Sequence, residues 1–336
     1  MGPLRYVIYG AGGVGSIIGA KLFMAGFDVV LIARGEHLAA MQRDGLRFKR
    51  PNPDTTEDLR ITAVGHPREV AFRPDDVVLL TMKSQDTAAA LDELRYAAGD
   101  QIAVVCAQNG VENERLALRR FANVYGMLVI LPANFLEPGS VDTTSWPVTG
   151  LLDIGRYPSG VDSRAEAIAG DLTRAGFISS HLPNVMRYKY TKLRENTLNA
   201  VHALLAPDAD AADVSNQLRN EATACFRAAR IDYAETAEMM TRAAGMSASV
   251  GGVGQGGWRG SSTWQGIMRG SAGTETDYLN GEVVTLGRLH GIPTPANEVV
   301  ALYVDRMARE KQAPGSVSAD ELRSEIARRA ASLAGK

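Results

Sequence analysis

Cysteine is nearly absent from this chain: two residues among 336, Cys106 and Cys225. Two thiols build neither a disulfide framework nor a four-thiolate metal site. Both sit in apolar runs (AVVCAQ and TACFRA), as small buried hydrophobes of a reducing compartment do. Charge of one sign is also missing. Lys and Arg number 36 against 38 Asp and Glu, a formal net charge of −2. That balance gives no electrostatic case for a nucleic-acid or polybasic membrane partner. No uncharged apolar run is long enough for a membrane span. The first residues, Met-Gly-Pro-Leu-Arg, lead straight into a strand-like segment, so no signal peptide is read and the cytoplasm is the expected location.

What is present is a large apolar fraction, 45%, enough for a sizeable core. The length suggests two domains at about 150 residues each. Up to about Pro183, short β-rich runs alternate with helical windows. The runs are Arg5–Tyr9, Asp28–Ala33, Asp76–Met82, Ile102–Cys106, Val124–Leu131, Leu151–Ile154 and Phe177–Leu182. The helical windows between them are Gly13–Ala25, Gln85–Ala98, Glu112–Phe121 and Ser163–Ala175. Such alternation predicts βαβ units around a mostly parallel sheet buried on both faces. Beyond Pro183 the strand signal stops. Helical windows are expected at Val185–Ala206, Ala211–Ile231, Tyr233–Ala244, Thr274–His290, Asn297–Glu310 and Ala319–Leu333. The expected domains are therefore 1–183, α/β, and 184–336, all-helical. Residues 251–260 hold six glycines in ten, a loop whose closure over a site would exclude water.

The strongest local motif is Gly10-Ala11-Gly12-Gly13-Val14-Gly15, between a strand and a helix. Gly10 permits the tight turn, Gly12 lets the backbone approach a pyrophosphate, and Gly15 lets helix and strand pack closely. The helix N-terminus, at Gly13 and Val14, then offers free N–H groups and partial positive charge to the anion. A carboxylate ending the second strand would select NAD. Here the strand ends in Arg34, whose guanidinium suits a 2′-phosphate, so NADPH is expected. Lys83 and Asn109 follow two further strands at the edge where such sheets bind ligands; each also fits a plain turn residue.

In the first long helical window, Lys192, Asn196 and Asn199 fall on one face at i, i+4 and i+7. Three donors with no acid among them suit an oxygen-rich substrate, although a solvated helix face reads the same way. Lys189, Arg194 and Glu195, on other faces, are expected to be exposed. A second cluster pairs Ser261-Ser262 with Thr274-Glu275-Thr276-Asp277 at a helix start, where an acid is also favoured by the helix dipole.

Taken in order, these motifs resemble the ketopantoate reductase (2-dehydropantoate 2-reductase) family. They are the glycine fingerprint with Arg34, Lys83, Asn109-Gly110, Lys192-Leu193-x-x-Asn196, Ser261-Ser262, Thr274-Glu275-x-Asp277-x-x-Asn280-Gly281 and His290-Gly291-Ile292-Pro293. The resemblance spans about Arg5 to Arg309. It implies a Rossmann-type domain followed by a helical domain of the 6-phosphogluconate dehydrogenase C-terminal-like kind. It also implies a cleft active site, a possible homodimer and NADPH-dependent reduction of a 2-keto acid. By position, Lys192 matches the lysine that protonates the carbonyl oxygen, and a desolvated lysine near other donors gives up its proton more readily. Glu275 matches the carboxylate that binds substrate and orients that lysine, and Ser262 a serine that bonds the substrate carboxylate. Asn109 and Asn196 match active-site amides, and Asn199 is grouped with the substrate contacts.

The chain departs from the family pattern near the substrate. Ala200 replaces a second asparagine, Trp264 a smaller apolar residue and Gly266 an aspartate, and the Ser262–Glu275 segment is one residue longer. These departures keep open a relative reducing another 2-keto acid. A non-catalytic NADPH-binding regulator and a flavoprotein are the remaining alternatives.

Overall fold

The structure is a computed structural model that describes residues 2–51, 55–246, 261–268, 270 and 274–335. The glycine-rich segment 251–260, read above as a closing loop, lies outside the described residues. The chain forms two compact units. One comprises Met1–Lys189 with Glu235–Gly256, the other Tyr190–Ala234 with Gly257–Lys336.

In the first unit the order is β1 (Arg5–Tyr9), α1 (Gly13–Met24), β2 (Asp28–Ile32), α2 (Gly35–Asp44), β3 (Leu46–Lys49), β4 (Thr56–Leu59) and β5 (Thr62–Val64). It continues with β6 (Asp76–Leu80), α3 (Thr87–Ala98), β7 (Ala103–Cys106), α4 (Asn113–Leu118), β8 (Asn123–Ile130), β9 (Ser140–Asp142), β10 (Leu151–Arg156) and α5 (Ser163–Arg174). Seven strands make one sheet in the order β10-β8-β7-β6-β1-β2-β5. All neighbours run parallel except β10, which is antiparallel to β8. This is the doubly wound arrangement, with its crevice at the carboxyl ends of the strands.

The apolar runs explain why this sheet is covered on both sides. Successive strand residues point to opposite faces. Tyr6, Ile8, Val29, Leu31, Val77, Leu79 and Val105 enter one core. Val7, Val30, Ile32, Val78, Leu80, Val104 and Cys106 enter the other. Both cysteines are buried and free, as expected.

A second, three-stranded sheet, β4-β3-β9, carries no counterpart in the sequence reading, nor does α2. These are short elements of mixed polarity, organised by pairing with distant residues: β3 lies parallel to β9 from Arg47↔Ser140 to Lys49↔Asp142. The expected strand Phe177–Leu182 forms only isolated bridges to β10, at Leu151↔Ile178 and Ile154↔His181. Side chains interrupt its ladder. Ser179 Oγ donates to the Leu152 carbonyl at 2.5 Å, and the Ser180 N–H donates to Asp153 Oδ1 at 2.8 Å.

From Val185 onward every described element is a helix: α6 (Val185–Asn196), α7 (Leu198–Leu204), α8 (Ala212–Ala228), α9 (Thr236–Arg242), α10 (Ser262–Met268), α11 (Thr276–His290), α12 (Pro295–Arg309) and α13 (Ala319–Ala334). In the second unit, Leu198, Val201, Leu204, Val214, Leu218, Val300, Val304, Leu322 and Ile326 share one core.

The single long helix expected over Val185–Ala206 is two. Thr197 separates them while keeping helical angles, φ −57° and ψ −26°. Its hydroxyl bonds back to the Arg194 carbonyl at 2.7 Å, and its own carbonyl accepts Asn280 Nδ2 at 3.0 Å. Back-bonding hydroxyls bend helices, and here a buried amide from α11 fixes the break.

Candidate active site

In the first unit the glycine motif forms the turn from β1 into α1. The N–H groups of Gly10 and Ala11 both donate to the Ile32 carbonyl, at 3.0 and 2.9 Å, tying the turn to the end of β2. Gly10 has φ +95°, and a Cβ there would stand 2.5 Å from the Met82 nitrogen. At Gly15 a Cβ would collide with Thr81 Oγ1 and Ile8 Cγ2, so the helix packs against β1 only because this residue is glycine. A Cβ on Gly12 would find its nearest neighbour 3.9 Å away. The backbone there faces open space, with Gly13, Val14 and Gly15 opening α1 beside it. Their N–H groups precede the first intrahelical donor of the ladder, Ser16 to Gly12 at 2.8 Å. The residues fit a dinucleotide pyrophosphate: open backbone and a helix N-terminus.

Arg34 lies two residues beyond β2 and is the N-cap of α2, in extended conformation. Its guanidinium is well exposed and donates to Asp86 Oδ2 at 2.9 Å. Lys83 is half-buried, three residues past β6, and caps the short 3-10 turn Ser84–Asp86. Asn109, also half-buried, lies three residues past β7. A polar mesh joins these two loops. Gln108 Nε2 donates to the Met82 carbonyl and to Thr87 Oγ1, both at 2.8 Å. Thr87 Oγ1 donates to Asn113 Oδ1 at 2.9 Å, and Asn113 Nδ2 reaches Ser84 Oγ and the Asn109 carbonyl at 3.0 Å.

Beneath this mesh lies Lys189. The sequence reading placed Lys189, Arg194 and Glu195 on exposed faces, and the structure corrects this. Lys189 is 3% exposed, Arg194 is buried and Glu195 is half-buried. Lys189 Nζ pairs with the fully buried Glu114 at 2.7 Å and donates to the Gln108 carbonyl at 2.8 Å. Burial pushes the Glu114 carboxyl above its usual range, and the Lys189 ammonium opposes that shift. A helical wheel assigns faces from neighbours in sequence, whereas here β7 and β8 cover the first turns of α6, with Lys189 Nζ reaching the Cys106 and Met127 carbonyls.

In the second unit Lys192 and Asn196 are half-buried on α6, one turn apart. Asn196 Nδ2 is a buried donor with no hydrogen-bond partner among the described residues. A buried unpartnered donor is costly and marks a place for an acceptor. Asn199 lies beyond the Thr197 break, on α7, so the stripe Lys192–Asn196–Asn199 does not share one continuous helix. The Asn199 carbonyl accepts Ser261 Oγ at 3.0 Å, and that oxygen also accepts from the Trp264 N–H at 3.3 Å. Ser262 opens α10 and is exposed. Trp264 is half-buried and packs against the helical core, and Gly266 is buried.

Glu275 is buried at the N-cap of α11, yet its side chain makes no capping bond. Capping therefore does not account for this carboxylate. The second unit is braced by a polar chain that sequence reasoning missed. Glu221 accepts from the Ala296 N–H at 2.9 Å, the Asn297 N–H at 3.0 Å and Asn297 Nδ2 at 2.8 Å, closing the N-terminus of α12. Asn297 Oδ1 accepts from Asn280 Nδ2 at 3.0 Å, which also reaches Thr197. Asn280 belonged to a recognised motif, but nothing near it in sequence signals these partners.

Among the described residues no helix is long and apolar enough to cross a membrane, and no cluster of His, Cys, Asp and Glu is arranged to hold a metal ion.

Two family models match the chain: "Ketopantoate reductase PanE/ApbA" over residues 6–159 and "Ketopantoate reductase PanE/ApbA C terminal" over residues 184–308. A 2-dehydropantoate 2-reductase of Pyrococcus horikoshii is 27% identical, the alignment covering 93% of this chain and 100% of that protein. One from Mesorhizobium japonicum is also 27% identical, over 92% and 99%. Among solved structures, a PanE/ApbA family ketopantoate reductase from Ralstonia eutropha is similar with TM-score 0.76 and 28% identity, over 92% of this chain and 99% of the other. A D-mandelate dehydrogenase bound to NADH and anilino(oxo)acetate shares the fold, with TM-score 0.77 and 20% identity over 91% and 99%.

Proposed function

This chain belongs to the ketopantoate reductase family, and from that premise we propose that it reduces 2-dehydropantoate to pantoate with NADPH. The observation that carries the reading is the buried, unpartnered Asn196 Nδ2 one turn from Lys192, in a chain matched by the family at both ends.

The nicotinamide, when bound, supplies a hydride to the carbonyl carbon. The free N–H groups of Gly13, Val14 and Gly15 would hold the pyrophosphate, Gly12 would let it come close to the backbone, and Arg34 would hold the 2′-phosphate. Lys83 and Asn109, in the loops after β6 and β7, would hold the cofactor at the carboxyl edge of the sheet. As the carbonyl oxygen gains negative charge, the Lys192 ammonium donates its proton to it, leaving an alcohol and a neutral amine. Asn196 Nδ2 donates to a substrate oxygen. Glu275 accepts from the substrate hydroxyl and orients the Lys192 ammonium, and Ser262 and Asn199 bind the oxygen-rich end.

A panel of 2-keto acids assayed by NADPH and NADH oxidation tests the proposal. Ketopantoate should be the best substrate, with NADPH preferred. No ketopantoate-dependent oxidation, with Lys192→Ala indistinguishable from wild type, would sink it.

A second reading is reduction of a different 2-keto acid. It is favoured by Ala200, Trp264 and Gly266, where the family places an asparagine, a smaller apolar residue and an aspartate. The same panel separates the two by which acid gives the highest kcat/KM.

A further inference from the structure

His37 lies on the third residue of α2, one turn beyond Arg34, and is 7% exposed. Its ring meets Phe135 with centroids 4.5 Å apart. Both ring nitrogens are engaged. The Gly139 N–H points at Nδ1, at 2.8 Å. A backbone N–H can only donate, so Nδ1 accepts and the proton of the neutral ring sits on Nε2. Nε2 lies 3.2 Å from Ser16 Oγ. Ser16 Oγ is also 3.0 Å from the Ala11 carbonyl, to which it donates. The directions therefore run in one sense: Gly139 N–H to His37, His37 Nε2–H to Ser16, Ser16 hydroxyl to Ala11.

The end of this chain is the glycine turn itself. Ala11 lies between Gly10 and Gly12, and Ser16 is the residue whose N–H donates to the Gly12 carbonyl. Bonding Ala11 from Ser16 fixes the peptide that leads into Gly12, and with it the direction of the helix-opening N–H groups. The other end is equally constrained. The Gly139 carbonyl accepts the Arg47 N–H at 2.8 Å, and a Cβ on Gly139 would stand 2.7 Å from Ala40 Cβ on α2. The imidazole is thus wedged between two rigid backbone segments.

We propose that His37 is a positioning residue for dinucleotide binding, acting through Ser16 on the glycine turn without touching the cofactor. The proposal rests on the reading of this turn as a dinucleotide cradle. It requires the neutral ring, since a proton on Nδ1 would face the Gly139 N–H and break the chain at its start. Burial already lowers the His37 pKa, with the Ala11 carbonyl opposing. The described groups that face the ring are uncharged: Ala11 and Ser16 from α1 and its turn, Phe135 and Gly139 from the segment before β9. Glu137 on that segment is paired with Lys49.

The test is a fluorescence titration of NADPH into wild type, His37→Asn, Ser16→Ala and the double variant, at about pH 8 and about pH 5.5, with a thermal melt of each. At the higher pH each single variant should raise Kd about tenfold, the effect of one buried hydrogen bond on a binding group. The double variant should match the singles, because the two residues act in series. As pH falls, the wild-type Kd should rise and the ratio of His37→Asn to wild type should shrink. The 2′-phosphate titrates in the same range, but equally in both proteins, so the ratio removes it. A merely structural histidine would lower the melting temperature and leave that ratio flat. A flat ratio, an unchanged Kd in both single variants, or a multiplicative double variant overturns the proposal while leaving the reductase reading intact. A wild type that binds no dinucleotide overturns both.

Discussion

Asn280 Nδ2 meets the carbonyl oxygen of Thr197 at 3.0 Å, one residue past Asn196, and marks the end of the helix that carries Lys192. The bond is the last link of a chain that begins at the Glu221 carboxylate and passes through Asn297. An element's termination next to a proposed substrate contact is therefore decided by a residue more than eighty positions away.

That chain makes a prediction about stability and KM together. The Glu221 carboxylate is surrounded by donors: the Ala296 and Asn297 N–H groups, Asn297 Nδ2 and Gln217 Nε2. Glu221→Gln turns one acceptor into a donor facing them. It should cost about 1–3 kcal/mol in urea unfolding. Asn280→Ala should lose a similar amount and raise the keto-acid KM more than it lowers kcat. An Asn280→Ala enzyme with wild-type KM would detach the break at Thr197 from substrate binding.

Lys192→Ala should lower kcat by about a hundredfold or more, the range of a lost general acid. NADPH affinity, read by fluorescence titration, should stay within about twofold, since the variant removes a proton donor and not a cofactor contact. A large loss of NADPH affinity with kcat retained would reassign Lys192 to cofactor binding.

Asp86 and a 2′-phosphate would compete for the Arg34 guanidinium, and Asp86 is its observed partner. Arg34→Ala should raise the KM for NADPH much more than for NADH. Asp86→Asn, which frees the guanidinium, should lower the KM for NADPH and leave that for NADH unchanged. Equal effects on both cofactors would remove Arg34 from 2′-phosphate recognition.

Lys189 and Glu114 form a buried pair, and removing one charge strands the other. Lys189→Met should destabilise the protein by about 3–5 kcal/mol at neutral pH. The sign of its pH dependence follows from Glu114, whose folded pKa stands above the unfolded value because of burial. A group raised in this way contributes stability below its unfolded pKa and loses it as pH rises through the folded one. Without the lysine the folded pKa climbs further, so the Lys189→Met deficit should be smaller near pH 5 than near pH 8. Urea midpoints at the two pH values measure it. Glu114→Gln added to Lys189→Met should recover part of the loss at the higher pH.

The first unit was legible where its signals are local. The runs Arg5–Tyr9 and Asp76–Met82 are apolar enough to be buried on both faces, and the glycine turn needs its residues for reasons of φ and close approach that act within a few ångströms. The β4-β3-β9 sheet was not legible, because its strands are four residues or fewer and β9 joins β3 across some ninety positions. Lys189 was misplaced on an exposed face for a related reason: helical periodicity says which residues share a side, not which side is covered.

What the sequence determined by itself is the phosphate cradle, the parallel sheet behind it, the change to helices after Pro183 and the family to which these belong. Each rests on backbone constraints or on periodic apolar patterns, which are written within one element. What only the tertiary structure decided is the protonation of the His37 ring, the burial of Lys189 against Glu114 and the helix break at Thr197. Each depends on which hydrogen-bonding groups and low-dielectric surroundings distant segments bring to one point, and desolvation has no signature until those segments meet.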